Sequence, residues 1–145
     1  MLFRSETLKH LEYLQSYSQV THLGIFLKKS DDNKGELIGE VGVNIFSNEW
    51  PSIYYYLKKK HWGKGYASEF VPSFISFWWS LPRMTTHLNL MNHPGRGFPD
   101  KVTEQLTGTV HVENTRSQKV LKKAGFELLE VSESFTDWRY ISPKK

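Results

Sequence analysis

The sequence predicts a single mixed α/β (α+β) domain, because a strand-like run twice passes through a polar turn into an amphipathic helix. The first passage runs from Ser52–Lys58 through His61-Trp62-Gly63-Lys64-Gly65-Tyr66-Ala67-Ser68 to Leu81, and the second from Leu106–Val112 through Asn114 to Gly125. A third observation is the turn Asp31-Asp32-Asn33-Lys34-Gly35 between two further strand-like runs, which predicts an antiparallel hairpin.

In chain order, Ser5 is placed to cap a helix reaching Tyr17, with Leu8, Leu11 and Leu14 inward. Thr21–Lys28 and Glu36–Phe46 are the strands of the hairpin. The turn Ser47-Asn48-Glu49 leads into Ser52–Lys58, whose isoleucine and three tyrosines suit a pleated sheet. Beyond the glycines, Ala67, Phe70, Val71, Phe74, Ile75, Trp78 and Leu81 recur at three and four residues and mark one helical face. Pro72 is expected to kink this helix or shorten its first segment. The Phe74, Phe77, Trp78 and Trp79 group reads as core packing ahead of a ligand-stacking platform. Pro82–Lys101 is rich in turn signals and predicts a long excursion, with a short strand at Thr85–Leu90; it reads as disorder or as a substrate-binding loop. In the second helix Asn114 is the N-cap, Val120, Leu121 and Ala124 form the buried stripe, and Gly125 stands where a left-handed cap is usual. Leu128–Ile141 predicts two short strands around Ser134–Asp137.

Composition narrows the chemistry. The 145 residues make one domain, and 19 basic against 15 acidic residues leave a net charge of +4. That excess suits an anionic ligand or an acidic acceptor and is too small to make nucleic acid the first expectation. There is no cysteine, which excludes a disulfide, a metal–thiolate site and a cysteine nucleophile. His61, His87, His93 and His111 lack ligand spacing, so no metal is expected. No run of eighteen apolar residues and no hydrophobic leader are found, so neither membrane insertion nor export is expected, and a cytoplasmic location follows.

Gly63 and Gly65 permit positive φ at the start of a helix, where unpaired N–H groups and the positive dipole end converge on an anion. Lys58, Lys59, Lys60 and Lys64 surround the turn, which would suit a pyrophosphate; an ordinary tight connection is the plainer alternative. The third glycine and distal acidic residue of a dinucleotide fingerprint are missing, as is the Gly-Lys-Ser/Thr of a Walker loop.

Taken together, the two motifs resemble the GNAT acetyltransferase superfamily, in particular its RimJ/RimL-like branch. From about Glu36 onward, Leu37–Val43 is similar to that family's third strand and Tyr54–Leu57 to its fourth. Trp62–Glu69 is similar to its acetyl-CoA loop, and Asn114–Phe126 to its Asn-x-x-Ser-x-x-Val-Leu helix ending in Gly-Phe. The resemblance implies the acyl-CoA N-acyltransferase fold, a mostly antiparallel mixed sheet flanked by helices and splayed between its fourth and fifth strands. It implies direct acetyl transfer from acetyl-CoA to a primary amine: a protein N-terminus, a lysine or a small-molecule amine. By position, Trp62, Gly63, Lys64, Gly65, Tyr66 and Ala67 would hold phosphate, the backbone of Tyr56, Leu57 and Lys58 would pair with pantetheine, and Asn114 would contact the same arm.

Ser117 would lie near the thiol and donate to it, because Leu121 stands where many members carry a tyrosine acid. Lys60 replaces the family's usual Gln or Arg. Glu49 is the candidate base, with Glu40 behind it, although Glu49 reads first as a solvated carboxylate of the Ser47-Asn48-Glu49 turn; Tyr140 is held in reserve. The family's first strand and first helix are missing from this reading, so residues 1–145 are expected to form an N-terminally shortened domain with an insertion near 82–101. The sheet edge thereby uncovered would permit a homodimer. Two other classes remain open at this point: a degenerate coenzyme-A-binding or interaction module, and a basic nucleic-acid-binding domain using Lys58–Lys60 with Lys119, Lys122 and Lys123.

Overall fold

The computed structural model describes residues 20–28, 34–45, 49–83 and 103–143. The expected helix Ser5–Tyr17, the tip of the first hairpin and the excursion after Arg83 lie outside them. The described elements are β1 (Val20–Lys28), β2 (Lys34–Asn44), β3 (Ser52–Leu57), a 3₁₀ turn (Lys59–His61), α1 (Tyr66–Ser80), β4 (Gln105–His111), α2 (Thr115–Lys123), β5 (Glu127–Val131) and β6 (Phe135–Ile141). Their strands form one sheet in the order β1-β2-β3-β4-β6-β5, antiparallel at every step except β3–β4.

The period-two pattern of the strands creates the core. Val41 and Val43 of β2 and Ile53 of β3 join Leu106 of β4 against Val71, Phe74, Ile75 and Trp78 of α1 and Leu121 of α2. Each such side chain, fully buried, contributes about 1.5–3 kcal/mol. α1 continues unbroken through Pro72, so the expected shortening does not occur. At its end, the Leu81 amide and the Arg83 guanidinium both donate to the Trp78 carbonyl, at 3.2 and 2.6 Å. Arg83 also lies over the rings of Trp78 and Trp79, 5.3 and 5.0 Å from their centroids, while Trp79 packs on Tyr140. The tryptophan pair therefore serves packing. Tyr140 is held between Trp79 and Phe126 and belongs to the same structure.

α2 has the ends its sequence predicts. The Asn114 side chain accepts from the Ser117 amide at 3.2 Å, and Gly125 adopts φ 102° as the Phe126 amide reaches back to Leu121 O at 3.0 Å. The helix sits close on β4 because Gly108 has no side chain: a Cβ there would stand 3.3 Å from both Ile53 Cγ2 and Leu121 Cδ1. The β5–β6 turn falls at Ser132–Ser134, so Phe135, Thr136 and Asp137 are strand residues where a turn was expected. Thr136 Oγ1 donates to Val110 O at 3.0 Å and accepts from Trp138 Nε1 at 2.9 Å, which ties that hairpin to β4.

One irregularity positions everything that follows. β3 and β4 are paired only at Ser52 and Thr107, where the Thr107 amide donates to Pro51 O at 2.8 Å. Past that point the two strands part, and the sheet is open alongside Tyr54–Leu57.

Candidate active site

The opening between β3 and β4 leads into a cleft of about 420 Å³ on the helical side of the sheet. β3 supplies Tyr55, Tyr56 and Leu57; the turn after it supplies His61, Trp62, Gly63 and Gly65; and α1 begins there with Tyr66, Ala67 and Ser68. α2 closes the other side with Asn114, Arg116, Ser117, Lys119 and Val120. The structure thus brings together nine of the residues singled out in the sequence, from Tyr56 to Ser117. Lys58, Lys64 and Glu49 are exposed and lie outside the lining, and the Lys58 amide donates to Ile38 O at 2.8 Å.

The turn is built to leave donors open. Gly63 and Gly65 have φ of 71° and 81°, and a Cβ at either would meet nothing within 4 Å. Left-handed backbone explains why glycine stands here, and the empty space above it is what an anion would fill. Gly65 is the N-cap of α1, no side chain caps it, and the first bond of the helix runs from the Glu69 amide to Gly65 O at 3.2 Å. The amides before Glu69 therefore lack intrahelical partners and open on the cleft. Trp62 Nε1 donates to Leu57 O at 2.7 Å and pins the turn to the end of β3.

The positive charge comes from an unexpected side. Lys60 pairs with Glu36, and that hydrogen bond holds the Glu36 carboxyl below the usual range. Glu36 Oε2 also lies 3.5 Å from Nε2 of the buried His61. Among the described residues the cations lining the cleft are Arg116 and Lys119 of α2; sequence reading passed over Arg116 and named Lys119 only in a basic cluster for nucleic acid, although both follow the N-cap within two turns. Tyr55 was also missed. Its alternation with Ile53 is the signal, since residues two apart on a strand share a face. The Tyr55 hydroxyl donates to Ser117 O at 3.4 Å, and burial raises its phenol above the ordinary tyrosine range. Leu121 is 1% exposed and part of the core.

Solved acetyltransferases share this architecture. Spermidine N-acetyltransferase from Vibrio cholerae, in complex with CoA and spermine, superposes with a TM-score of 0.64 at 14% identity over 97% of this chain and 77% of that one. N-acetyltransferase PseH from Campylobacter jejuni, in complex with acetyl coenzyme A, gives 0.59 at 16% identity over 96% and 79%. At these identities the likeness defines the fold: the GNAT acetyltransferase fold. An N-acetyltransferase named p20 from Bacillus licheniformis is 30% identical over 111 residues, 75% of this chain, which spans about half (49%) of that relative's length. The acetyltransferase (GNAT) domain model matches residues 4–127, and the chain belongs to the GNAT acetyltransferase family.

Proposed function

We propose that this chain transfers the acetyl group of acetyl-CoA to a primary amine by direct attack. The observation that carries this reading is the uncapped N-terminus of α1, opening on a cleft between parted strands. The amides of the Trp62–Ala67 turn would hold the pyrophosphate, with Arg116 and Lys119 across the cleft and Lys58 and Lys64 adding positive charge around the turn. Tyr56 and Leu57 offer strand backbone to the pantetheine arm. Asn114, whose Oδ1 holds the Ser117 amide, has its side-chain NH₂ to donate to the same arm. Acetyl-CoA supplies an activated thioester; the chain must orient it, take a proton from the amine and give one to the departing sulfur.

Ser117 is the donor to sulfur, supported by the Tyr55 phenol beside it, whose raised range keeps it protonated. The base is either Glu49, acting through water, or a group on the opposite face of the sheet. Spermine in the Vibrio cholerae relative favours cationic amines as acceptors, polyamines or protein N-termini as in the RimJ/RimL-like branch. The outer edge of β1, the first strand in the sheet order, is the surface through which a homodimer would form. The cytoplasm would supply both substrates.

Thiol release from acetyl-CoA in the presence of spermidine, or of a peptide with a free N-terminus, tests the reading. Ser117→Ala is expected to lower kcat by about 100-fold, the lower end of general acid catalysis, with acetyl-CoA affinity unchanged. Binding of acetyl-CoA without transfer to any amine would instead leave a coenzyme-binding module.

A further inference from the structure

The cleft follows β3 backward from the glycine turn. Leu57, Tyr56 and Tyr55 line it in that order, and neither Tyr54 nor Ile53 does. A coenzyme whose pyrophosphate sits at the turn therefore extends back along the strand, past residues spaced about 3.3 Å apart, until the lining stops at Tyr55. Behind Tyr55 the space is filled. Ile53 shares its face of β3 and is buried, and the bare backbone of Gly108 on β4 comes so close that a Cβ would stand 3.3 Å from both Ile53 Cγ2 and Leu121 Cδ1. Beyond them the Thr107 amide and hydroxyl both donate to Pro51 O, at 2.8 and 3.1 Å, and bring β3 and β4 together. Along β3, then, the cleft ends at the Tyr55 ring.

That ring is a crossbar between the two walls. Its hydroxyl donates to Ser117 O on the first turn of α2 at 3.4 Å, and its ring meets Phe70 of α1 edge-on, with centroids 5.8 Å apart and planes at 80°. Burial holds the phenol above the ordinary tyrosine range, so the hydroxyl remains a donor and the tie to α2 persists at neutral pH. β3, α1 and α2 thus fix one side chain at the inner end of the cleft.

We propose that the Tyr55 side chain is the end wall of the acyl pocket and selects acetyl over longer acyl groups, an assignment that rests on the transferase reading above. The thioester belongs where Ser117 and Tyr55 meet, because Ser117 is the donor to sulfur and its carbonyl is the atom that Tyr55 holds. With the sulfur there, the acetyl methyl lies against the Tyr55 ring. A longer chain has to push that ring off Phe70 and Ser117 O, and close-packed interiors resist the insertion of even one methylene. The reaction is the same for every acyl group. The amine nitrogen bonds to the acyl carbon, and the carbon–sulfur bond breaks with its electron pair on sulfur. Sulfur takes a proton from Ser117, resupplied by water, and the proton lost by the amine goes to the base. Tyr55 therefore governs which thioester reaches that geometry.

The test measures thiol release from acetyl-, propionyl- and butyryl-CoA, with spermidine and a free-N-terminus peptide as amines, for wild type, Tyr55→Val, Tyr55→Leu and Tyr55→Phe, each with its unfolding transition recorded. Wild type is expected to favour acetyl over propionyl by about 10–200-fold in kcat/KM, the range for one methylene in a fitted pocket, with butyryl lower still. Tyr55→Val, which keeps a residue suited to a strand, and Tyr55→Leu should remove most of that preference. Tyr55→Phe keeps the ring and loses the hydroxyl, so it should lower kcat for all three thioesters alike and retain the preference. A wild type that acetylates neither amine overturns the transferase reading and the wall with it. A wild type that uses the three thioesters with equal kcat/KM, or a folded Tyr55→Val or Tyr55→Leu that keeps the wild-type preference, overturns the wall alone. Where neither smaller variant folds, Tyr55→Phe decides: a lost preference with the ring still in place overturns the wall, and a retained one supports it.

Discussion

Gly65 shows how one residue can carry both a fold and a site. Its φ of 81° lies in the left-handed region, and the space around a Cβ there is empty. Gly65→Ala is therefore opposed by backbone strain alone, about 1–2 kcal/mol, read as a modest fall in Tm. Gly65→Glu adds a negative charge where the phosphates would sit and is expected to abolish acetyl-CoA binding with the fold intact. Tyr54 yields a prediction of a different kind. Its phenol is held up to about 12, against an unfolded value of about 10. The neutral phenol is thus favoured by the fold, so its share of stability is present below about pH 10 and is lost as pH rises through 12. Tyrosinate absorbance of wild type minus Tyr54→Phe should show that late step; a step at the ordinary tyrosine value would contradict the burial. The positive φ of Gly63 and Gly65 and the Asn114 cap were legible in the sequence because each is set by neighbours within a few residues. The Tyr54–His22 pair was not, because the partners are 32 residues apart and meet only when the register places Gly42 between them.

At the level of elements, the hairpin, α1 and α2 could be read from periodicity and caps, since local pattern decides them. The parting of β3 from β4 entered only through the family resemblance: a parallel pair closes a long loop, and no local pattern states how many residues it joins. The β5–β6 turn was misplaced for a related reason. Ser134–Asp137 is polar enough for a turn, yet Thr136 points inward to Val110 O and its polarity is satisfied there. Gly39 links element to site. A Cβ there would lie 2.2 Å from Tyr56 O and 2.9 Å from Leu57 Cδ2, so Gly39→Ala must push the end of β3 aside. The expected result is a loss of about 1–3 kcal/mol in thermal or denaturant unfolding, together with weaker acetyl-CoA binding, because Tyr56 and Leu57 are a wall of the cleft. Unchanged affinity in the destabilised variant would separate that wall from the coenzyme.

For the molecule as a whole, the sheet acts as a partition. Among the described residues, α1, α2, the glycine turn and the cations Arg116 and Lys119 gather on one side, while His22, Glu40 and Tyr54 share the other. The two described helices can share one side because the inward residues Val41, Val43, Ile53 and Leu106 of β2, β3 and β4 are apolar and recur at every second position. Among the described residues no helix is long and apolar enough to cross a membrane. Everything proposed for function depends on whether the N-terminus of α1 holds a pyrophosphate. Calorimetric titration of acetyl-CoA into wild type and Gly65→Glu decides it: saturable one-to-one binding by wild type, abolished in the variant with its unfolding transition retained, is the expected result, whereas equal binding by both, or none by wild type, would contradict it.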